Sequence, residues 1–216
     1  MHKRQIQRIG AVALIGGALA LAAYAVLLPL LVPVASLATN LNPTVLSPVW
    51  RPLALCAFAG VLLMAFGFGA VYSRFYQPAG WLGFAGFLAI ELAYFLQAAK
   101  VTWELFVYPV MAGNEASAFL LRNGYLRSAG PVVCFRRLAG LSILVGVVLF
   151  CSAVLRVRDF PRAAGGLVLV GALVYGVGPF LSVYVSVAGI FVFAVGCAGL
   201  ASDLWRGAER SAGNGS

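Results

Sequence analysis

The stretch IGAVALIGGALALAAYAVLLPLLVPV, residues 9–34, carries no charge and is long enough to cross a bilayer. A membrane-spanning helix needs about 20 consecutive apolar residues. Pro29 and Pro33 are expected to kink its far end, because proline removes a helical hydrogen bond. The basic start could open a signal peptide, but the apolar region of a signal peptide is only about 7–15 residues long. We therefore expect a retained first transmembrane helix.

The chain as a whole has the composition of a membrane protein. Hydrophobic residues make up 62% of its 216 residues and charged residues 10%, and the mean hydropathy is +0.99. Soluble domains are nearer half apolar and a quarter charged. These values exclude an ordinary soluble globule, a disordered protein and a small disulfide-stabilised protein.

Six apolar segments predict an all-α fold, a polytopic membrane bundle of six transmembrane helices forming one integral membrane domain over residues 1–216. The spans are expected at about 9–34, 52–72, 79–108, 131–155, 163–177 and 181–204. A short turn is expected at residues 73–78. The linker at 112–130 is too polar to span and predicts a short interfacial helix around 116–121, between spans three and four. Tryptophan commonly anchors helices at the membrane interface, and all four tryptophans lie near span ends: Trp50, Trp81, Trp103 and Trp205.

The placement of Lys and Arg predicts the orientation. An even number of spans puts both termini on one side, and cytoplasmic loops carry the excess of basic residues. More of the basic residues fall on the side of the termini, so we expect a cell membrane protein with cytoplasmic N- and C-termini. The dominance of Arg over Lys is typical of a GC-rich bacterial genome. Four arginines on the other side break the bias, so either the topology differs there or the cluster has a function: Arg122, Arg127, Arg136 and Arg137.

Several chemistries lack the residues that they require. The net charge is +9, but the basic residues flank apolar segments and form no stripe with aromatic residues, so no nucleic acid partner is expected. The single histidine, His2, lies in the N-terminal segment, which leaves no histidine-based metal, haem or Ser-His site within the membrane. The four cysteines show no Cys-x-x-Cys spacing and imply no metal or disulfide framework. We therefore expect no metal, no cofactor and no enzyme activity; the one enzymatic alternative, an intramembrane enzyme acting on lipid, would need Glu91 or Glu104 as its acid or base.

Polar residues concentrate in the predicted third span. Ionisable groups in hydrocarbon are rare and commonly functional, yet this span contains Glu91, Gln97, Lys100 and Glu104. At about 100° per residue, the last three share one helix face, and Lys100 and Glu104 form an i,i+4 pair. Glu91 lies on nearly the opposite face.

Two interpretations of the Lys100–Glu104 pair stay open. The two side chains could neutralise each other and pin neighbouring helices together. Alternatively, Arg136 and Arg137 lie at similar depth on the fourth span, and the four side chains could form an outer polar pocket. Such a pocket would bind an anionic lipid head group or a small anion through charge-assisted hydrogen bonds.

Glu91 has no counter-charge at its depth and is expected to carry its proton. It could hydrogen-bond to a backbone carbonyl or to a tyrosine such as Tyr24, Tyr175 or Tyr184. It could instead form a proton- or cation-coupled binding site. Glu91→Gln should preserve the fold in both cases and abolish activity only in the second.

These residues favour a non-enzymatic multi-pass membrane protein that binds or moves a small polar or anionic solute, or a lipid head group. The ligand-binding pocket near helix three is expected to contain Glu91, Gln97, Lys100, Glu104, Arg136 and Arg137. The alternative is an accessory or scaffold subunit, with another membrane protein as its partner and no substrate of its own. The lipid bilayer is a partner in both interpretations.

Overall fold

The computed structural model describes residues 3–32, 40–122, 125–157 and 161–213. The described residues are almost entirely helical and include no β-strand. In chain order, the helices are α1 (Lys3–Leu31), α2 (Asn42–Leu46), α3 (Trp50–Thr102), a π-helical turn (Trp103–Val107), α4 (Tyr108–Gly113), α5 (Glu115–Ala118), a 3-10 turn (Phe119–Leu121), α6 (Tyr125–Ser128), α7 (Gly130–Arg156), α8 (Arg162–Leu181) and α9 (Val183–Gly213).

The described part of the chain has four helical segments that are long and apolar enough to cross a membrane. They are Arg4–Leu31, Trp50–Gly113, Gly130–Arg156 and Val183–Glu209. The predicted fifth span corresponds to a shorter apolar helix, Arg162–Gly178. The prediction of an all-α protein of membrane type is thus confirmed, but the count of six spans is not. Predicted spans two and three belong to one segment, Trp50–Gly113.

Helix α3 turns back on itself at Gly80. This residue has φ 56° and ψ −153°, a combination that essentially only glycine adopts. The rings of Phe68 and Tyr94 stack with centroids 5.8 Å apart, and those of Tyr72 and Phe87 4.4 Å apart. Residues 50–79, the first arm, therefore run beside residues 81–102, the second arm.

The predicted turn at residues 73–78 is wrong. All six of these residues are helical, and the chain turns just after them. Pro78 continues the first arm and leaves the change of direction to Gly80, because proline holds φ near −65° and cannot adopt the positive φ that this turn uses.

The long helices pack as a ring of antiparallel neighbours. Helix α1 packs on α3, α3 on α7, α7 on α8, α8 on α9, and α9 on α1. The guanidinium carbon of Arg8 lies 5.4 Å above the ring of Trp205, so the first and last helices reach the same end of the bundle. We call this the termini end.

The second arm and α7 touch backbone to backbone. A Cβ on Gly86 would lie 2.5 Å from the backbone nitrogen of Phe150, and a Cβ on Gly146 would lie 2.7 Å from that of Ile90. Small residues allow such approaches between membrane helices. These two reciprocal contacts fix the register of the second arm against α7.

The opposite end of the bundle carries a small packed layer, residues 40–49 and 108–122, which we call the cap. Its two halves join where Leu41 N donates to Leu121 O at 3.1 Å and Asn42 Nδ2 donates to Ala118 O at 3.0 Å. A separate apolar cluster, which the neighbouring Trp50 completes, holds it together: Leu41, Val45, Trp50, Tyr108 and Leu121. In place of the single helix predicted around 116–121, the cap contains the one-turn α5 followed by a 3-10 turn.

Candidate functional site

Two cavities adjoin the second arm and α7 near the cap. The apolar cavity has a volume of about 330 Å³, and its lining includes Trp103, Glu104, Tyr108, Pro131, Val132 and Phe135. The basic cavity has a volume of about 420 Å³ and is lined by Gln97, Lys100, Val133, Arg136 and Arg137. Lys100 and Arg136 line both cavities, so the two cavities meet at this pair of side chains.

The register of the two helices explains why Lys100 meets Arg136. Ile90 lies opposite Gly146. Lys100 comes ten residues after Ile90, and Arg136 comes ten residues before Gly146. Because antiparallel α-helices rise by the same distance per residue, these equal steps bring the two cationic side chains to the same level. The glycine contact thus positions the site.

The charges around the two cavities favour an anion. Lys100 Nζ lies 3.6 Å from Glu104 Oε1, which is an ion pair but too long for a hydrogen bond. The ammonium group has three N–H donors, so donors remain for a ligand. Arg136 and Arg137 are exposed and form no ion pair with any described residue. The two cavities are therefore lined by three cationic side chains and one carboxylate, Glu104, whose charge Lys100 already neutralises.

The π-helical turn at Trp103–Val107 lies beside the apolar cavity. Pro109 has no N–H to give to the carbonyl four residues earlier, and its ring would clash with that carbonyl in an unbroken α-helix. The chain avoids this clash by a register shift, in which Tyr108 N bonds to Trp103 O, five residues back. Single π-helical turns of this kind are frequent at functional sites.

Trp50 completes the hydrogen bonding of the shifted turn. The shift deprives the Glu104 carbonyl of its α-helical donor, and Trp50 Nε1 donates to that oxygen at 2.9 Å. Trp50 is only 4% exposed, so the prediction that it anchors the chain at the membrane interface is wrong. The Glu104 carbonyl lacks a helical donor only because of Pro109. The role of Trp50 could not be predicted from the sequence, because it depends on this distant residue.

Glu91 lies apart from the other residues singled out from the sequence. It lines neither cavity. Its Oε1 is buried toward the first arm, 3.9 Å from where a Cβ on Gly69 would lie, and has no hydrogen-bond partner among the described residues. The predicted bond to a carbonyl or tyrosine is therefore not made by this oxygen within that part of the chain.

The structure brings together five of the six predicted site residues and adds an apolar wall. The five are Gln97, Lys100, Glu104, Arg136 and Arg137. The wall, chiefly Trp103 and Phe135, was missed because apolar side chains that line a cavity and those that face lipid look alike in a sequence.

No protein-family model, curated protein or solved structure matches the chain. What the site could bind is therefore inferred from its side chains alone. Within residues 3–32, 40–122, 125–157 and 161–213, no group of three or more His, Cys, Asp or Glu side chains could hold a metal ion. The excess of cations around Lys100 attracts an anion and repels a metal ion.

Proposed function

We propose that the protein is a multi-pass membrane protein that binds an anionic group of the phosphate type between the second arm and α7. The observation that carries this proposal is the position of Lys100 and Arg136 at one level, each lining both cavities. Arginine binds phosphate through two parallel hydrogen bonds, and lysine binds it as a compact positive charge. A lipid head group and a free anion both offer this chemistry.

The proposed arrangement in the membrane has six crossings. Each arm of α3, together with α1, α7, α8 and α9, would cross once, and the antiparallel ring supports this alternation. Helix α8 has 20 residues, about 30 Å of helix, which matches the thickness of a bilayer core. The termini end would face the cytoplasm of the cell membrane, as the bias of basic residues predicts. The cap would lie at the opposite interface.

Thiol labelling tests this arrangement. In a chain without its native cysteines, a cysteine replacing Glu115 in the cap and one replacing Glu209 near the last helix end would both be exposed. A membrane-impermeant maleimide on intact cells should label the first directly and the second only after permeabilisation. Labelling of both from the same side would contradict six crossings.

Titration of the purified protein tests the binding site. The ligands are inorganic phosphate and dihexanoyl-phosphatidylglycerol, measured by calorimetry. Arg136→Gln should weaken binding of the ligand that the site accepts by about fivefold, because one basic residue near a membrane surface contributes about 1 kcal/mol toward an anion.

Arg51→Gln is the matched control for this titration. Arg51 is exposed near the same end of the bundle but lines neither cavity. Its replacement removes the same charge and should leave the affinity unchanged. Equal losses in the two variants, or no binding of either ligand to the unmodified protein, would overturn the proposal.

A further inference from the structure

We infer that the ligand is an anionic phospholipid that enters sideways from the bilayer, with its phosphate on Lys100 and Arg136 and the start of an acyl chain in the apolar cavity. This inference rests on the proposed function and names the ligand class. It follows from the apolar wall, the lateral exposure of the site and the sign of its charges.

The apolar wall is the first reason. The cavity next to the cations is lined largely by Trp103, Pro131, Val132 and Phe135. A small anion would occupy only the basic cavity and leave this wall without a partner. Apolar cavities of this kind accept apolar groups in preference to water. A molecule that carries a phosphate and a hydrocarbon chain satisfies both cavities at once.

The lateral exposure of the site is the second reason. Trp103 is 52% exposed, and Pro131 and Arg136 are also exposed. Toward the cap, the apolar cavity is lined by Tyr108, which is 7% exposed and belongs to the apolar cluster of the cap. The exposed lining residues therefore lie on the side of the bundle, while the lining residue that belongs to the cap is buried. A lipid reaches such a groove from the bilayer.

The charge balance selects an anionic lipid over a zwitterionic one. Glu104 is the carboxylate of the group, its side chain is 13% exposed, and it lies beside Lys100. A head-group ammonium would gain little from this neutralised carboxylate and would be repelled by Arg136 and Arg137. A phosphodiester without an amine, such as phosphatidylglycerol, meets no such repulsion.

Tryptophan quenching by brominated lipid tests the inference. The full-length protein is placed in phosphatidylcholine nanodiscs with a few mole per cent of phosphatidylglycerol brominated on carbons 6 and 7 of one chain. Bromine quenches tryptophan on contact, and the difference between the unmodified protein and Trp103→Phe isolates the signal of Trp103. Brominated phosphatidylcholine at the same mole fraction is the lipid control.

The expected result is stronger quenching of Trp103 by the anionic lipid than by the control lipid. Unbrominated phosphatidylglycerol should reverse it, and Arg136→Gln should raise the lipid fraction for half-quenching about fivefold, whereas Arg51→Gln should not. If Arg136→Gln fails to fold, the reversal by unbrominated lipid in the unmodified protein decides the same question.

Two outcomes would overturn the inference, and they differ in what they leave standing. Equal quenching by both lipids, with inorganic phosphate still bound in the titration, would make the ligand a free anion and leave the proposed function intact. Equal quenching together with no phosphate or short-chain lipid binding would remove both the inference and the proposed function.

Discussion

Replacing Gly146 by alanine should loosen the helix contact that holds Lys100 opposite Arg136. The new Cβ would lie 2.7 Å from the nitrogen and 2.8 Å from the Cα of Ile90. Carbon atoms in contact prefer a separation of about 3.5–4.0 Å. The obstacle is the backbone of another helix and cannot rotate away, so the second arm and α7 must move apart by roughly 1 Å to restore this separation.

The expected destabilisation is the cost of overpacking, about 1–3 kcal/mol. Gly140 provides the control, because it lies in the same helix and a Cβ there would meet nothing within 4 Å. Both substitutions gain the same helix propensity of about 1 kcal/mol. The difference between Gly146→Ala and Gly140→Ala therefore isolates the contact with Ile90.

Steric trapping in bicelles measures the free energy of unfolding of the two variants. Gly146→Ala should be less stable than Gly140→Ala by about 1–3 kcal/mol, and it should also weaken phosphate binding because the level of Lys100 depends on the same contact. Equal stability of the two variants would refute the close approach at Gly146 and, with it, the register that assembles the site.

Three further predictions concern the turn, the cap and Glu91. Gly80→Ala should lower the free energy of unfolding by about 1–3 kcal/mol. No atom lies within 4 Å of the new Cβ, so the strain comes from the backbone. An unchanged stability would mean that the turn lies elsewhere. Trp50→Phe leaves the Glu104 carbonyl without its donor and should cost about 1–3 kcal/mol, with faster hydrogen exchange in the cap; unchanged exchange would contradict the hydrogen bond. Glu91→Gln should leave phosphate binding in the same titration unchanged, because Glu91 lines neither cavity; a tenfold loss would show that Glu91 and the cavities are coupled.

The features that follow from spacing within one helix could be predicted from the sequence. Gln97, Lys100 and Glu104 share a face because the helical period is fixed, whatever surrounds the helix. The position of Arg136 near the start of the next apolar segment also predicts that it lies at a similar depth. The apolar segments likewise predict the all-α architecture, since hydrocarbon requires that backbone hydrogen bonds be satisfied within each segment.

The features that depend on partners distant in the chain could not be predicted. Residues 73–78, which include Pro78, look like a turn, but the turn depends on a positive φ that Gly80 supplies. Trp50 looks like an interfacial anchor, but it is buried in the bundle. There it donates a hydrogen bond to the Glu104 carbonyl, which has no helical donor because of Pro109. The surroundings of Glu91 depend on how the two arms of α3 pack, and no local pattern in the sequence specifies that packing.

A distance between lipid phosphorus and the Lys100 side chain tests the binding site most directly. The chain has only two lysines, Lys3 and Lys100, so Lys3→Arg leaves a single ¹⁵Nζ signal for solid-state NMR. In bilayers containing phosphatidylglycerol, we expect a ³¹P–¹⁵N distance of roughly 4 Å, because charge-assisted N–H···O bonds have N···O distances of about 2.8 Å. Arg136→Gln should reduce the fraction of Lys100 side chains that sense phosphorus, because it weakens binding about fivefold. A Lys100 signal that senses no phosphorus, or a phosphorus-sensing fraction that Arg136→Gln leaves unchanged, would contradict the proposed site.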